Sequence, residues 1–399
     1  MNSHFLRTAL VLGLLSAIGP FAVDMYLPAL PSIGQSLGAS MAAVQASLMV
    51  FFISMGLGQI VYGPVSDMVG RKAPLYFGLV LFAVGSIGGA LAPDIKTLIA
   101  LRFVQGLGAC AGRVVPRAVV RDLHTGVEAA RLMSLLMLVF SVSPILAPLV
   151  GSLLIEAVGW RSVFWAVTVA AVLGLVLLAT SLPEMRPPEQ RVDSSVRGAL
   201  AAYGVLLRDR HFLGLVFIGA FGMASFFAYL ANSPFVMINH FGLTPRQYSL
   251  AFAVNAASFI GVSQFTGRLA GRFGLQAVVK VAVTGYAAVM LLLLVFNLVG
   301  VDRLDVLIIT MLIGFLGLVV PVTAVLALDA HGSIAGTASA LMGTLQFVTG
   351  ALVMAVVGLF VDGTARPMVV GIAACALMAL ALARGTLGGL RASKAAAVG

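Results

Sequence analysis

The sequence predicts an all-α polytopic membrane protein whose twelve transmembrane helices form two pseudo-symmetric six-helix bundles. Of its 399 residues, 61% are hydrophobic and 10% are charged, whereas a soluble domain carries about 25% charged residues. The apolar residues fall in long runs, and a helix that spans a bilayer needs about 20 of them. One polar stretch, 183–197, divides the chain near its middle. This composition excludes a soluble enzyme, a disordered chain and a nucleic-acid-binding module.

Six apolar runs lie on each side of that polar stretch. We predict an N-terminal six-helix bundle over residues 1–182, a cytoplasmic linker over 183–205 and a C-terminal six-helix bundle over 206–399. The first run continues from Leu6 to Leu30, past the length of a secretory signal, so we interpret it as a retained span. Similar loops, Gly63–Arg71 and Gly267–Gly274, follow the second helix of each half and support two related bundles.

The distribution of basic residues predicts the orientation in the membrane. With both termini in the cytoplasm, sixteen of the 24 Lys and Arg lie on the inner side, five lie outside and three lie within the fourth span. Basic residues collect in cytoplasmic loops, so we expect a multi-pass protein of the cell inner membrane with both ends inside. The net charge of +10 then has a topological explanation and needs no nucleic-acid partner.

Cysteine and histidine give no sign of a metal or cofactor site. Cys110 and Cys375 both lie in apolar runs, and no two of the five histidines are spaced as a pair of metal ligands. We therefore expect no disulfide, no bound metal and no cofactor.

Asp24 is the strongest candidate for a functional residue. It alone among the fourteen acids lies clearly inside a predicted span, where a carboxylate is expensive to bury and therefore a functional candidate. Arg102 in the fourth span has a similar predicted depth, so the two are expected to face one cavity. Desolvation favours the neutral acid and Arg102 favours the carboxylate, so a substrate could shift the balance. The alternative is a purely structural ion pair. Gly19 and Pro20 are expected to loosen the helix just before Asp24.

Three further arginines continue down the fourth helix, namely Arg113, Arg117 and Arg121. At 100° per residue, Arg113 lies about 20° and Arg117 about 60° around the helix from Arg102. They could form a cavity wall that attracts anionic or polar ligands, or a path for protons. The alternative is pairing at an inner gate, with the side chains reaching to the membrane surface.

Asp67, Arg71 and Asp122 are expected to form a gate latch. Arg71 could pair with Asp122 at the inner end of the fourth helix, and Asp67 could accept hydrogen bonds from the N-terminal amides of a facing helix. The alternative is that these residues are ordinary topogenic loop charge.

Four motifs resemble those of the major facilitator superfamily. Gly63–Lys72 matches its loop between helices two and three, and Leu101–Gly108 is similar to the fourth-helix motif of proton-driven members. Ser143–Gly151, with Pro144, Pro148 and Gly151, resembles the fifth-helix motif of drug antiporters, which lets the helix bend and approach a neighbour. Asp24–Pro31 resembles the bicyclomycin/chloramphenicol-resistance branch. The resemblance implies that the helix facing Asp67 begins near Ser333. Gly271 stands where a complete second loop motif would have an acid.

Substrate contacts are expected from aromatic, amide and thioether side chains within the spans, since aromatic faces with a few amides suit variable hydrophobic ligands. Besides Asp24 and Arg102, these candidates are Tyr26, Gln105, Met137, Phe226, Tyr229, Asn232, Asn255, Phe259 and Gln346. The alternative for each is ordinary packing or contact with lipid.

The resemblance implies a proton-coupled multidrug efflux transporter, a drug:H+ antiporter that exports small amphipathic compounds by alternating access. The alternative on the same fold is a proton-coupled exporter of an endogenous metabolite. An intramembrane enzyme or a ligand-sensing receptor is disfavoured, because the chain has neither a cluster of catalytic residue types nor a stretch long enough for an output domain. We expect a monomer whose partners are a small-molecule substrate, protons and membrane lipids.

Overall fold

The computed structural model describes residues 3–123, 126–182, 184, 196–313, 316–331 and 334–396. Over these ranges the chain forms helices, turns and short loops, and no strand. Twelve helical segments within them are long and apolar enough to cross a membrane, which confirms the predicted number of spans.

The helices fall into two compact units, Met1–Ala199 with Thr244–Ala253 and Leu200–Leu243 with Val254–Gly399. Those of the first half are α1 (Ser3–Asp24), a 3-10 turn (Leu27–Ala29), α2 (Leu30–Ser36), α3 (Met41–Val69), α4 (Lys72–Leu91), α5 (Ile95–Leu123), α6 (Gly126–Val158) and α7 (Arg161–Ser181). Those of the second half are α8 (Val196–Arg208), α9 (Arg210–Pro234) with a π-helical end (Phe235–His240), α10 (Pro245–Ser263), α11 (Thr266–Phe273), α12 (Leu275–Leu298), α13 (Leu304–Ile313), α14 (Leu316–Asp329), α15 (Ala335–Leu359) and α16 (Arg366–Ala396).

The first span is interrupted in its middle. It runs from Arg7 to Ser36, beyond the expected end at Leu30, and α1 stops within it at Asp24. Pro28 and Pro31 each stand in the first turn of the next helical piece, where a missing N–H removes no hydrogen bond. Pro20 lies inside the continuous part of α1 and the break follows Asp24, so the loosening expected at Gly19 and Pro20 stays a prediction.

Small residues on α5 allow it to pack closely against its two neighbours. A Cβ atom at Gly106 would collide with the Phe51 carbonyl of α3, and one at Gly108 would collide with backbone atoms of Gly78 and Phe82 on α4. Close approach through small residues is a common basis of helix packing in membranes.

Substituting Gly108→Ala should therefore destabilise the protein strongly. The added methyl group meets backbone atoms that cannot rotate away, and overpacking typically costs ~1–3 kcal/mol. Thermal unfolding of the purified protein in detergent measures the effect, and Gly261→Ala in α10 is the control because its Cβ would meet nothing within 4 Å. Equal unfolding temperatures for the two variants would contradict this packing.

In the second unit, Asp209 caps the N-terminus of α9. Its Oδ1 accepts hydrogen bonds from the N–H groups of His211 (2.8 Å) and Phe212 (3.1 Å), and its Oδ2 lies 3.1 Å from His331 Nε2. Partial burial alone would raise the pKa of the Asp209 carboxyl, but the two N–H groups and the His331 ring hold that pKa below its ordinary value. The ionised form is therefore the one that stabilises the fold.

The cap gives a pH-dependent prediction. A depressed carboxyl pKa stabilises above the unfolded-state value and loses that contribution as the pH falls through the folded-state value. We expect Asp209→Ala to cost ~1 kcal/mol at pH 7, as for other N-caps, and less below about pH 4, near the ordinary aspartate pKa. Unfolding temperatures at both pH values measure this. Asp209→Asn keeps a capping oxygen and should lose less at pH 7, whereas an Asp209→Ala deficit independent of pH would contradict the assignment.

Candidate functional site

Asp24 is a buried acid at the interrupted end of α1. Its side chain is 6% exposed, and its Oδ2 accepts a hydrogen bond of 3.2 Å from the hydroxyl of Ser143 on α6. Ser143 was not predicted as a site residue, although it directly precedes Pro144 in the fifth-helix motif. A hydroxyl next to a helix-bending proline was the available signal.

Arg102 binds the same end of α1 but not the Asp24 carboxylate. Its Nη1 donates to the Ala22 carbonyl at 3.3 Å, and its guanidinium lies 4.3 Å from the ring centroids of both Tyr26 and Phe51. The Tyr26 N–H, which would bond Ala22 in a continuous helix, bonds Val23 instead. Arg102 therefore supplies the donor that the break removes, as basic side chains do at helix C-termini.

The expected direct balance between Asp24 and Arg102 is absent in this conformation. No ion pair joins the two among the residues with described side chains, and the Asp24 carboxyl is instead bonded by Ser143. The long Arg102 side chain ends between two aromatic rings, where its Nε and Nη2 have no hydrogen-bond partner among the described residues. Asp24 and Arg102 thus lie at the same end of α1 and have different partners.

Tyr26 and Gln105 support this arrangement and are fully buried. The Gln105 Oε1 accepts from Arg102 Nη1 at 2.6 Å, and its Nε2 donates to the Ser86 hydroxyl at 2.8 Å. The Tyr26 hydroxyl shares a 2.7 Å hydrogen bond with Ser47. Both residues were expected to contact substrate, but their polar atoms are engaged here in holding Arg102 and α1.

The fifth-helix motif lies directly against the break. A Cβ atom at Gly151 would collide with the Met25 carbonyl, so this glycine lets α6 approach the backbone next to Asp24. Pro144 follows the Ser143 that bonds Asp24, and both Pro144 and Pro148 lie inside α6. The Pro148 carbonyl accepts a 2.9 Å hydrogen bond from the Ser249 hydroxyl of α10. The motif thus fits α6 to the interrupted part of the first span.

The latch residues meet at one end of α3, α4 and α5. Arg71 is 2% exposed and lies between two carboxylates, with its Nη1 2.8 Å from Asp67 and its Nε 2.6 Å from Asp122. Its Nη1 also donates to the Ser66 hydroxyl at 2.7 Å. The structure contains the expected Arg71–Asp122 pair. The expected partner of Asp67, near Ser333, lies outside the described residues.

Glu184 joins this cluster, a contact that was not predicted from the sequence, where the residue was assigned to the polar linker. Its two carboxylate oxygens accept from the backbone N–H groups of Arg71 (2.8 Å) and Lys72 (3.2 Å) at the start of α4. Gly70 has a φ of 97°, and this turn directs the N–H groups of Arg71 and Lys72 toward the Glu184 carboxylate. A carboxylate is favoured there because the N-terminal end of a helix carries a partial positive charge. An acid directly after the sixth span was the available signal.

In the second unit, four expected substrate residues lie together between α9 and α10. The rings of Phe226 and Phe259 are stacked with centroids 5.9 Å apart, and Asn255 Nδ2 donates to the Tyr229 hydroxyl at 2.9 Å. We call these four residues the aromatic–amide cluster.

The remaining expected substrate residues lie elsewhere. Asn232 donates to the Ala228 carbonyl of its own helix at 2.8 Å, and Gln346 on α15 is beside Gly219 of α9. Met137 lies on α6 in the first unit and is exposed. None of the three forms part of the aromatic–amide cluster.

Arg113 and Arg117 lie one turn apart on α5, and both are partly exposed. Their guanidinium carbons are 5.8 and 5.4 Å from the centroid of the same ring, Phe140 of α6. The side chain of Arg121 lies outside the described part of the chain.

Within the described residues, twelve helices long and apolar enough to cross a membrane, the first of them interrupted beside a buried acid, characterise a polytopic membrane protein. The chain belongs to the Major Facilitator Superfamily, whose family model matches residues 12–354. The protein is accordingly a multi-pass protein of the inner membrane.

The chain is similar to several bacterial proteins over most of its length. It is 37% identical over 366 residues to the uncharacterized MFS-type transporter YdgK of Bacillus subtilis (strain 168), covering 91% of both chains. It is 30% identical over 343 residues to multidrug resistance protein D of Escherichia coli (strain K12), covering 84% of both. It is 28% identical over 378 residues to the bicyclomycin resistance protein homolog of Haemophilus influenzae, covering 93% of this chain and 94% of that one.

Solved structures agree on the fold. A D-xylose-proton symporter superposes with a TM-score of 0.74 at 18% identity, covering 95% of this chain and 97% of that one. A variant of the nucleoside transporter NupG superposes with a TM-score of 0.75 at 12% identity, covering 97% of this chain and 99% of that one. At these identities the likeness concerns the fold alone.

Proposed function

We propose that the protein is a multidrug efflux transporter that exchanges protons for small amphipathic compounds by alternating access, with both termini in the cytoplasm. The observation that carries this proposal is the buried Asp24 carboxyl at the broken end of α1, held by Ser143. Relatives that are named for resistance to several drugs or to bicyclomycin support the substrate class. In this proposal the chain is a monomer that performs no chemical conversion and uses no cofactor.

Asp24 is proposed to carry the proton. Burial disfavours its carboxylate form, and so does the partial negative charge at the end of α1. The hydroxyl of Ser143 opposes both effects by donating to the carboxylate. A substrate whose polar group reaches Asp24 would supply further donors and release the proton, so proton and substrate compete for one position. Arg102 acts as a positioning residue, because it holds the end of α1 through Ala22.

The Asp67–Arg71–Asp122 cluster is proposed to hold one gate state. Arg71 is buried between two carboxylates, and such a charge is tolerated only while its partners remain in place. Glu184 binds the backbone N–H groups at the start of α4 in the same cluster and would therefore move with the gate. Opening this gate would break the Arg71–Asp122 pair.

The aromatic–amide cluster is proposed to offer a contact surface for hydrophobic compounds. Stacked rings accept flat apolar groups of varied shape, and the Tyr229–Asn255 pair offers polar atoms beside them. This combination suits several unrelated compounds better than one hydrophilic substrate.

Inverted membrane vesicles with an acidic lumen test the proposal. Adding a transported drug should release protons from the lumen, whereas vesicles without the protein should hold their gradient. Chloramphenicol and bicyclomycin are suitable first compounds, since relatives carry their names. If no drug releases protons but a cellular metabolite does, the protein is a metabolite exporter on the same fold. If no compound releases protons, the proposal that this protein couples transport to protons is wrong.

A further inference from the structure

The spans of the first unit contain arginines that belong neither to the contact at the end of α1 nor to the latch. Three arginines lie within the membrane-spanning part of α5, namely Arg102, Arg113 and Arg117. Arg102 has a clear structural role at the end of α1. Arg113 and Arg117 lie instead beside Phe140 of α6. Charged side chains at such depth are costly and generally face the protein interior or a water-filled cavity.

Both side chains lie against α6 at one aromatic ring. The guanidinium groups of Arg113 and Arg117 both stand over the Phe140 ring within cation–π distance. The Nε of Arg117 is buried, and no group among the described residues accepts its hydrogen. Arg117 also pairs with no carboxylate in the described part of the chain. An Nε together with a neighbouring Nη forms the fork that binds a carboxylate by two parallel hydrogen bonds.

We propose that Arg113 and Arg117 with Phe140 form an anion subsite that admits amphipathic aromatic carboxylates among the substrates. The carboxylate would bind the fork of Arg117, the adjacent Arg113 would add a second positive charge, and the aromatic body would lie beside Phe140. This rests on the proposed function, because it names a substrate class for the same transporter. The subsite has two positive charges one helical turn apart, so a neutral compound of the same shape binds it less well.

Equilibrium dialysis of the purified full-length protein tests the subsite without any proton gradient. The probes are 2-naphthoate and 2-naphthamide, which share their ring system and differ in charge. We expect the protein to bind naphthoate at least tenfold more tightly, a difference of ~1.4 kcal/mol, because hydrogen bonds to a charged carboxylate are stronger than those to a neutral amide. Equal binding of the two probes, or displacement of naphthoate by equimolar inorganic phosphate, would overturn the proposal.

Matched variants locate the binding. Arg113→Gln and Arg117→Gln should each weaken naphthoate binding about tenfold and leave naphthamide binding within about twofold. Arg117→Lys keeps the charge and loses the fork, so it should fall between the parent and Arg117→Gln. Arg161→Gln is the control, since Arg161 also stands over an aromatic ring (Trp160, 4.2 Å) and donates to a carbonyl (Ala92, 3.1 Å) but lies at the start of α7.

Loss of binding for both probes in a variant that keeps the parent's unfolding temperature, or an equal effect of Arg161→Gln, would contradict the subsite. A variant that loses both probes and has a lower unfolding temperature is misfolded, and Arg117→Lys then serves as the test. The dialysis tests the subsite and the vesicle assay tests the proton coupling, so either proposal can fail while the other stands. Naphthoate selectivity without drug-driven proton release would retain the subsite and reject the proposed coupling, and the converse result would reject the subsite alone.

Discussion

Substituting Asp24→Asn should abolish drug-driven proton release from inverted vesicles while the purified variant still binds drug. The amide has nearly the same shape as the neutral acid but carries no proton that it can release. Asp24 is the buried acid at the end of α1, and its neighbour Ser143 can donate to the amide oxygen as it does to the carboxyl. We expect proton release at the level of vesicles without the protein, at least tenfold below the parent, as expected for loss of a required proton-transfer group.

The matched control is Asp94→Asn. Asp94 is an exposed acid before α5 that accepts hydrogen bonds from Thr97, and Asn preserves that role. This variant should release protons as the parent does. Ser143→Ala removes the donor to Asp24 and should change the pH at which transport is half-maximal without abolishing it. Full coupling in Asp24→Asn would show that another group carries the proton.

Substituting Arg71→Leu should strongly destabilise the protein and impair transport. The change leaves the Asp67 and Asp122 carboxylates facing one another without the buried guanidinium that joins them. Because Asp67 is 41% and Asp122 22% exposed, solvent screens the two carboxylates that lose their partner, and the expected loss is ~1–3 kcal/mol. Unfolding temperature in detergent and drug efflux from cells measure the two effects. Lys72→Gln, at the adjacent residue, is the control and should have little effect on either.

A second substitution separates the latch from simple support of the fold. Adding Asp122→Asn to Arg71→Leu removes one uncompensated carboxylate and should recover much of the lost stability. If the cluster is a latch, transport stays low in this stable double variant because the gate contact is gone. Recovery of transport with stability would reduce the cluster to a structural role. Exchanging the two charges is a poor test, because it would place a carboxylate at position 71 beside both Asp67 and Glu184.

The number of spans could be predicted from hydrophobicity, because a membrane-spanning helix depends on the composition of about 20 consecutive residues. The break after Asp24 was harder to place. Pro20 and Pro28 are both prolines in one apolar run, and only the contacts of α6 at Met25 and of Arg102 at Ala22 distinguish them. Those contacts join residues far apart in the sequence.

The candidate site was predicted in its residues but not in its contacts. Burial of an acid in a span is costly wherever its partner lies, so Asp24 could be identified from sequence alone. The position of the Arg102 guanidinium could not, because a long flexible side chain can reach either the Asp24 carboxylate or the nearby carbonyl at equal depth. Glu184 was missed since its partners are backbone N–H groups of α4, which no sequence pattern reveals.

The central claim is that proton and drug compete at Asp24, and proton release on drug binding tests it most directly. The purified protein is mixed with saturating drug in weakly buffered solution, and the pH is followed with an indicator. We expect the parent to release up to about one proton for each drug bound at a pH where Asp24 is protonated, and Asp24→Asn to release none. Drug binding without proton release over the whole accessible pH range, or equal release by Asp24→Asn, would contradict the account.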